Sequence, residues 1–74
     1  MPVSNFTAIV ESEGEGFVSR CPELDVASQG HMVEEALANL KEAVELFLEC
    51  ADPSEVAHRQ RGTIFVTQFE AAHG

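Results

Sequence analysis

The strongest constraint on this chain is an apolar stripe in residues 33–51, VEEALANLKEAVELFLECA. At about 100° per residue, Val33, Ala36, Leu37, Leu40, Val44, Phe47, Leu48 and Ala51 fall on one side of a helix. Glu34, Glu42, Glu45 and Glu49 fall on the other, with only Lys41 to offset them. The spacing predicts an amphipathic helix with a core face and an acidic face, and Leu46 projects away from the core stripe. Glu34 and Glu35 in the first turn suit the positive end of the helix dipole, and Pro53 closes the helix by restricting Asp52. At about 1.5 Å per residue such a helix can lie across several strands.

The strands are expected on either side of it. Residues 5–11, NFTAIVE, alternate Phe6, Ala8 and Val10 with Thr7, Ile9 and Glu11, which reads as a strand. The loop of residues 12–16, SEGEG, offers two glycines for the positive φ of a hairpin turn, and residues 17–21 return as a second strand. Pro22 cannot donate to a ladder and marks its end, after which residues 24–29 form a third short strand closing at Gly30. Residues 52–62 read as a loop with a turn of helix at 54–58, and residues 63–69, TIFVTQF, as a last β-branched and aromatic strand. Residues 70–74 are expected to fray. The predicted fold is α+β: a three-stranded antiparallel meander, one long amphipathic helix and one further strand, in the order β-β-β-α-β.

With 74 residues the chain is expected to be a single domain, 1–74, and a chain this size buries only about 60% of the surface its unfolded form exposes. Small domains of this kind often gain stability from disulfides, a metal or oligomerisation. Two cysteines, Cys21 and Cys50, allow at most one bridge. The opening residues lack the basic end of a secretory leader, so free thiols in a reducing, cytoplasmic setting are expected. His31, His58, His73 and the cysteines show no CxxC, HxxxH or HExxH spacing, so no metal or other cofactor is expected. No apolar run approaches the roughly 20 residues of a membrane span. Oligomerisation becomes the leading stabiliser.

Thirteen acids against four cations, Arg20, Lys41, Arg59 and Arg61, give a formal net charge of -9. Such a surface repels polyphosphate and offers no basic patch, which argues against direct nucleic-acid binding and suits a basic protein partner. The last expected strand carries Ile64 and Val66 on one face but Phe65 and Phe69 on the other, and the first has Ile9 opposite its Phe6, Ala8 and Val10 set. One helix covers one sheet face, so an apolar patch remains for a second copy or a partner. The candidate interface residues are Ile9, Phe65, Phe69 and Leu46, with Glu42, Glu45 and Glu49 on the acidic helix face.

The ordered series Phe6, Gly16-Phe17, Cys21-Pro22-Glu23-Leu24, Ser28-Gln29-Gly30 and Glu34-Glu35-Ala36-Leu37, followed by Asn39, Glu42 and Ala43, resembles the HicB-like antitoxin domain. The likeness covers roughly residues 6–49. It implies a partial ribonuclease H-like α+β fold without nuclease activity, a homodimer or higher oligomer, and neutralisation of a small basic HicA-type toxin that cleaves mRNA. Family members commonly carry Pro-Gly-Cys after the Leu and Asp-Thr after the Gly, where this chain has Asp25, Val26 and Ala27, then His31 and Met32. Without the Thr cap, Glu35 lacks its capping-box partner, at a cost of about 1 kcal/mol. Only about two dozen residues follow the main helix, so the C-terminal DNA-binding module of many such antitoxins is not expected.

Two other classes are open to the sequence. In an enzyme, Glu11, Glu13, Glu15, Glu23 and Asp25 would have to converge on a divalent metal for nucleic-acid hydrolysis, although hairpin-loop acids usually point to solvent. In a self-associating module, the chain would assemble with itself and have no toxin partner.

Overall fold

The computed structural model describes residues 5–59, 62 and 64–74. Its elements run β1 (Ile9–Glu13), β2 (Gly16–Cys21), β3 (Val26–Gly30), α1 (Val33–Cys50) and α2 (Pro53–Arg59). The strands form an antiparallel meander in the order β1-β2-β3, and α1 packs on one face of it, chiefly over β3 and β2. This is the α+β class with the β-β-β-α order that the sequence predicts.

Turn chemistry sets the register. Glu13 pairs with Gly16, leaving Gly14 and Glu15 as a two-residue loop in which Gly14 alone takes positive φ, 60°. Positive φ confined to the first loop residue is the II′ pattern, whose twist matches that of paired strands. The hairpin is therefore tighter than the five-residue loop expected, and β1 runs on to Glu13. At its other end β1 starts at Ile9 rather than at residue 5. Ile9 pairs with Arg20, so continuing the register would set Thr7 opposite Pro22, which has no N–H to offer. The Thr7 N–H turns instead to the Glu23 carboxylate, 2.9 Å from Oε2.

The third strand also starts later than expected. Leu24 is not part of it but sits fully buried in the turn, at 0% exposure, and Asp25 takes φ 55° to bring the chain round. Asp tolerates this left-handed conformation better than most residues because its short side chain bonds locally. Leu24 joins Cys21, Leu40 and Val44 in the core, with Phe6, Val26, Phe47, Leu48 and Val56 packed around them.

The helix meets the sheet at very close range. A Cβ on Gly30 would lie 2.6 Å from the Ala36 nitrogen and 2.9 Å from the Glu35 carbonyl carbon, so only glycine fits. Beside it, the buried Ser19 hydroxyl donates to the Ala36 carbonyl at 2.8 Å, and the Asn39 side-chain amide donates to the Gln29 carbonyl at 2.8 Å. The helix start has no side-chain cap at Met32. Glu35 reaches one residue further back and accepts the His31 N–H at 2.7 Å, which replaces half of the missing capping box.

After α1, Pro53 opens α2 instead of merely ending the previous helix, as its fixed φ favours at a first helical position. The expected last strand is a correction: residues 64–69 have no regular secondary structure and are exposed, while Thr63 lies outside the described residues. High β-propensity does not make a strand without a ladder partner, because ordering the backbone costs about 1–2 kcal/mol per residue.

Gly30→Ala should lower the urea-derived stability by about 3 kcal/mol, since backbone atoms rather than a flexible side chain stand in the way. Gly14→Ala, strained but in open space, should cost about 1 kcal/mol. Equal effects from the two substitutions would contradict this account of the helix–sheet contact.

Candidate protein-binding surface

The positions singled out in the sequence do not form one surface. Glu42, Glu45, Leu46 and Glu49 lie together on the outward side of α1, and all four are exposed, Leu46 at 60%. Ile9 lies on the opposite side of the molecule. It pairs with Arg20, one step out of phase with Ser19 and Cys21 beneath the helix, so it faces away from α1. Phe65 and Phe69, 86% and 88% exposed, belong to the segment that has no place in the described sheet.

The helix face is electrostatically one-sided. Glu42 and Glu45 stand three apart, Glu45 and Glu49 four apart, so neighbouring carboxylates repel by about 0.2–0.5 kcal/mol per pair. The ion pairs among the described residues engage Glu11, Glu35 and Glu55, not these three. No basic residue lies in the last turn, so Glu49 also meets the negative end of the helix dipole. Charge placed against both local rules is unfavourable in the free chain, and a cationic partner would relieve it.

The acids considered as a metal cluster are otherwise placed. Glu23 accepts from the Thr7 hydroxyl at 2.6 Å and from the Thr7 N–H, and the Cys21 thiol lies 3.6 Å away. Burial would raise the Glu23 pKa, but the Thr7 hydroxyl, the Glu23 N–H and the Thr7 N–H together lower it. Glu11 lies 3.9 Å from Arg20, and Glu13, Glu15 and Asp25 are exposed. Among the described residues no group of three or more His, Cys, Asp or Glu side chains is positioned to hold a metal ion. Cys21 and Cys50 are free thiols; burial, first of all, pushes the Cys21 thiol above its ordinary pKa, which makes it a poor nucleophile. No helix among the described residues is long and apolar enough to cross a membrane.

The structure adds two features absent from the sequence reading. Arg59, counted there only as a cation, stacks over the Phe47 ring with its guanidinium carbon 4.7 Å from the centroid. It also donates to the Leu24 carbonyl and pairs with Glu55, holding α2 against α1 and the β2–β3 turn. Its i,i+4 spacing from Glu55 was the only sequence signal for this. The second is an apolar cleft of about 140 Å³ between residues 6–8 and α1, lined by Phe6, Ala8, Leu37, Leu40 and Lys41 among others. It exists because Leu37, part of the expected core stripe, is 46% exposed beside β1.

A three-stranded meander under one helix, whose outer face is an unneutralised acidic stripe, defines a small α+β module organised around exposed surfaces. The chain is similar to the UPF0150 protein of Helicobacter pylori strain J99, with 35% identity over 66 residues, 88% of this chain and 92% of that protein. It belongs to the UPF0150 family. No family model and no solved structure matches it.

Glu23 and Glu35 both have lowered pKa values, Glu35 first through the His31 N–H. Each therefore contributes stability that is present above the ordinary carboxylate pKa and is lost as pH falls through the lowered folded value. The urea midpoint should decline as pH drops through and below the ordinary Glu range. In Thr7→Val the Glu23 pKa, followed by side-chain NMR, should move up toward its ordinary value; an unmoved titration would discount the Thr7 hydroxyl.

Proposed function

We propose that the chain is a non-enzymatic protein-binding module of the HicB-like antitoxin kind, which self-associates and neutralises a small basic mRNA-cleaving toxin of HicA type. The observation that carries the reading is the stripe of Glu42, Glu45 and Glu49 on the exposed side of α1, unpaired among the described residues, on a chain of net charge -9. Such a surface steers a basic protein to it and discriminates against RNA, so the module would act on the toxin rather than on the toxin's substrate. Leu46 within the acidic face gives a partner an apolar contact. The partner class rests on the ordered resemblance over residues 6–49 alone.

Glu23 in this reading is structural, holding residue 7 to the β2–β3 turn, and Cys21 is a core residue. A metal-dependent nuclease would need carboxylates that converge, and Glu23 is turned inward to Thr7.

Purified chain should bind a small basic RNA-cleaving protein co-produced with it and suppress that protein's RNA cleavage. Affinity should fall about tenfold or more between low and high salt. Replacing Glu42, Glu45 and Glu49 together by Gln should slow association about tenfold while leaving the urea midpoint unchanged or slightly raised. Capture that is indifferent to salt and to this triple variant would move the toxin surface elsewhere, and RNA cleavage by the chain itself, abolished by chelation, would overturn the reading.

A further inference from the structure

From the open edge of β1 and the unplaced C-terminal segment, we infer that residues 64–69 of one copy of this chain add as a strand to β1 of a second copy. The inference takes up the self-association in the functional reading and does not depend on the toxin.

The two edges of the sheet differ in what lies beside them. At the β3 edge the Asn39 amide occupies the Gln29 carbonyl and α1 lies overhead. At the β1 edge, among the described residues, no hydrogen bond besides the β2 ladder reaches the backbone of Ile9–Glu13. An open row of N–H and C=O groups is a template for another strand.

The surroundings of that edge are apolar on both faces at the start of β1, whereas Glu11, Ser12 and Glu13 toward the hairpin are exposed. On the helix side lies the cleft lined by Phe6, Ala8 and Leu37; on the other side Ile9 and Val18 are half-buried. Residues 64–69, IFVTQF, match this in kind: Ile64 and Val66 would point to one face, Phe65 and Phe69 to the other. A strand apolar on both faces is out of place on a half-solvated sheet and fits beside β1.

Charge selects the occupant. In a chain of net charge -9, neither residues 64–69 nor residues 5–10 contain an acidic or basic side chain. Two copies repel wherever their acids meet; residues 64–69 paired at Ile9 and Val10, the start of β1 into which residues 5–8 lead, meet no carboxylate until Glu11 and Glu13 at its hairpin end. A basic partner finds no acid at the start of β1 and a run of them on α1. Reciprocal exchange about a two-fold axis makes the contact isologous and closed. Two copies would bury four phenylalanines at about 150 Å² or more each, roughly 600 Å² toward the roughly 1,600 Å² of a standard interface before backbone and aliphatic side chains are counted.

The test uses the full chain, the full-length variants Phe65→Lys and Phe69→Lys, light scattering after size exclusion across a concentration series, and amide hydrogen exchange. The wild type should give twice the monomer mass, with slow exchange in residues 64–69 and along β1. Each variant should raise the dissociation constant roughly thirtyfold or more and release protection in both segments together. Because both side chains are almost fully exposed, the circular dichroism of the variants should stay native, which separates lost assembly from lost folding. A chain monomeric at every concentration overturns self-association, and with it this inference, even if residues 64–69 are protected by docking on their own β1. An oligomer unmoved by both substitutions overturns the strand exchange alone.

Discussion

The rest of the structure depends on the contact between Gly30 and the first turn of α1. With no Cβ at position 30, the Ala36 backbone comes down onto the end of β3, and Ser19 in the neighbouring strand closes the gap by donating to the Ala36 carbonyl. A buried hydroxyl is costly unless it is bonded, so Ser19 is tolerable only because the helix is this near. The same closeness fixes where the helix lies: over β3 and β2, with little of its length above β1. Leu37, which helical periodicity assigns to the core, therefore emerges beside β1 and lines a cleft. One missing side chain leads by packing alone to an uncovered strand.

The other end of the helix is held by the turn between β2 and β3. Leu24 fills the core from that turn, Glu23 binds residue 7, and Asp25 turns the chain. Arg59 then reaches back from α2 to the Leu24 carbonyl and covers Phe47. A few polar side chains thus tie the β1 entry, the turn and α2 to one small core of Cys21, Leu24, Leu40 and Val44. Chains of this size have little apolar area to spend, so bonds that fix turns carry more of the specificity than in a larger domain.

Periodicity made α1 legible to within a residue, and Pro22 and Gly30 marked the ends of β2 and β3, because each reports a local backbone requirement. What stayed hidden was non-local. The start of β1 depends on Thr7 finding Glu23 sixteen residues away, and the burial of Leu24 depends on where the helix lies. Residues 64–69 show the converse: their pattern reports a wish for a ladder, but propensity cannot say whether a strand edge is within reach. The acidic site was visible as a helical face, since exposure of Glu42, Glu45 and Glu49 follows from the same 3.6-residue period that buries Leu40 and Val44. The separation of Ile9 from that face needed the strand register. Arg59 was counted only toward the net charge, because a stack on Phe47 has no signature in spacing.

The distribution of charge orders these surfaces. Acids cover the outer side of α1 and the β1–β2 hairpin, while the β1 entry and residues 64–69 are uncharged. If charge served solubility alone, there would be no reason to spare two stretches of high β-propensity, which are the segments most in need of protection from aggregation. Leaving them uncharged is favourable where they are covered by each other. Covering them in pairs, as proposed, would leave the acidic faces of both helices outward, and doubling the negative charge on one particle would strengthen the field that a basic protein meets. The proposed self-association at the sheet edge and the proposed capture of a cationic partner at the helix would therefore use separate surfaces and reinforce one another electrostatically.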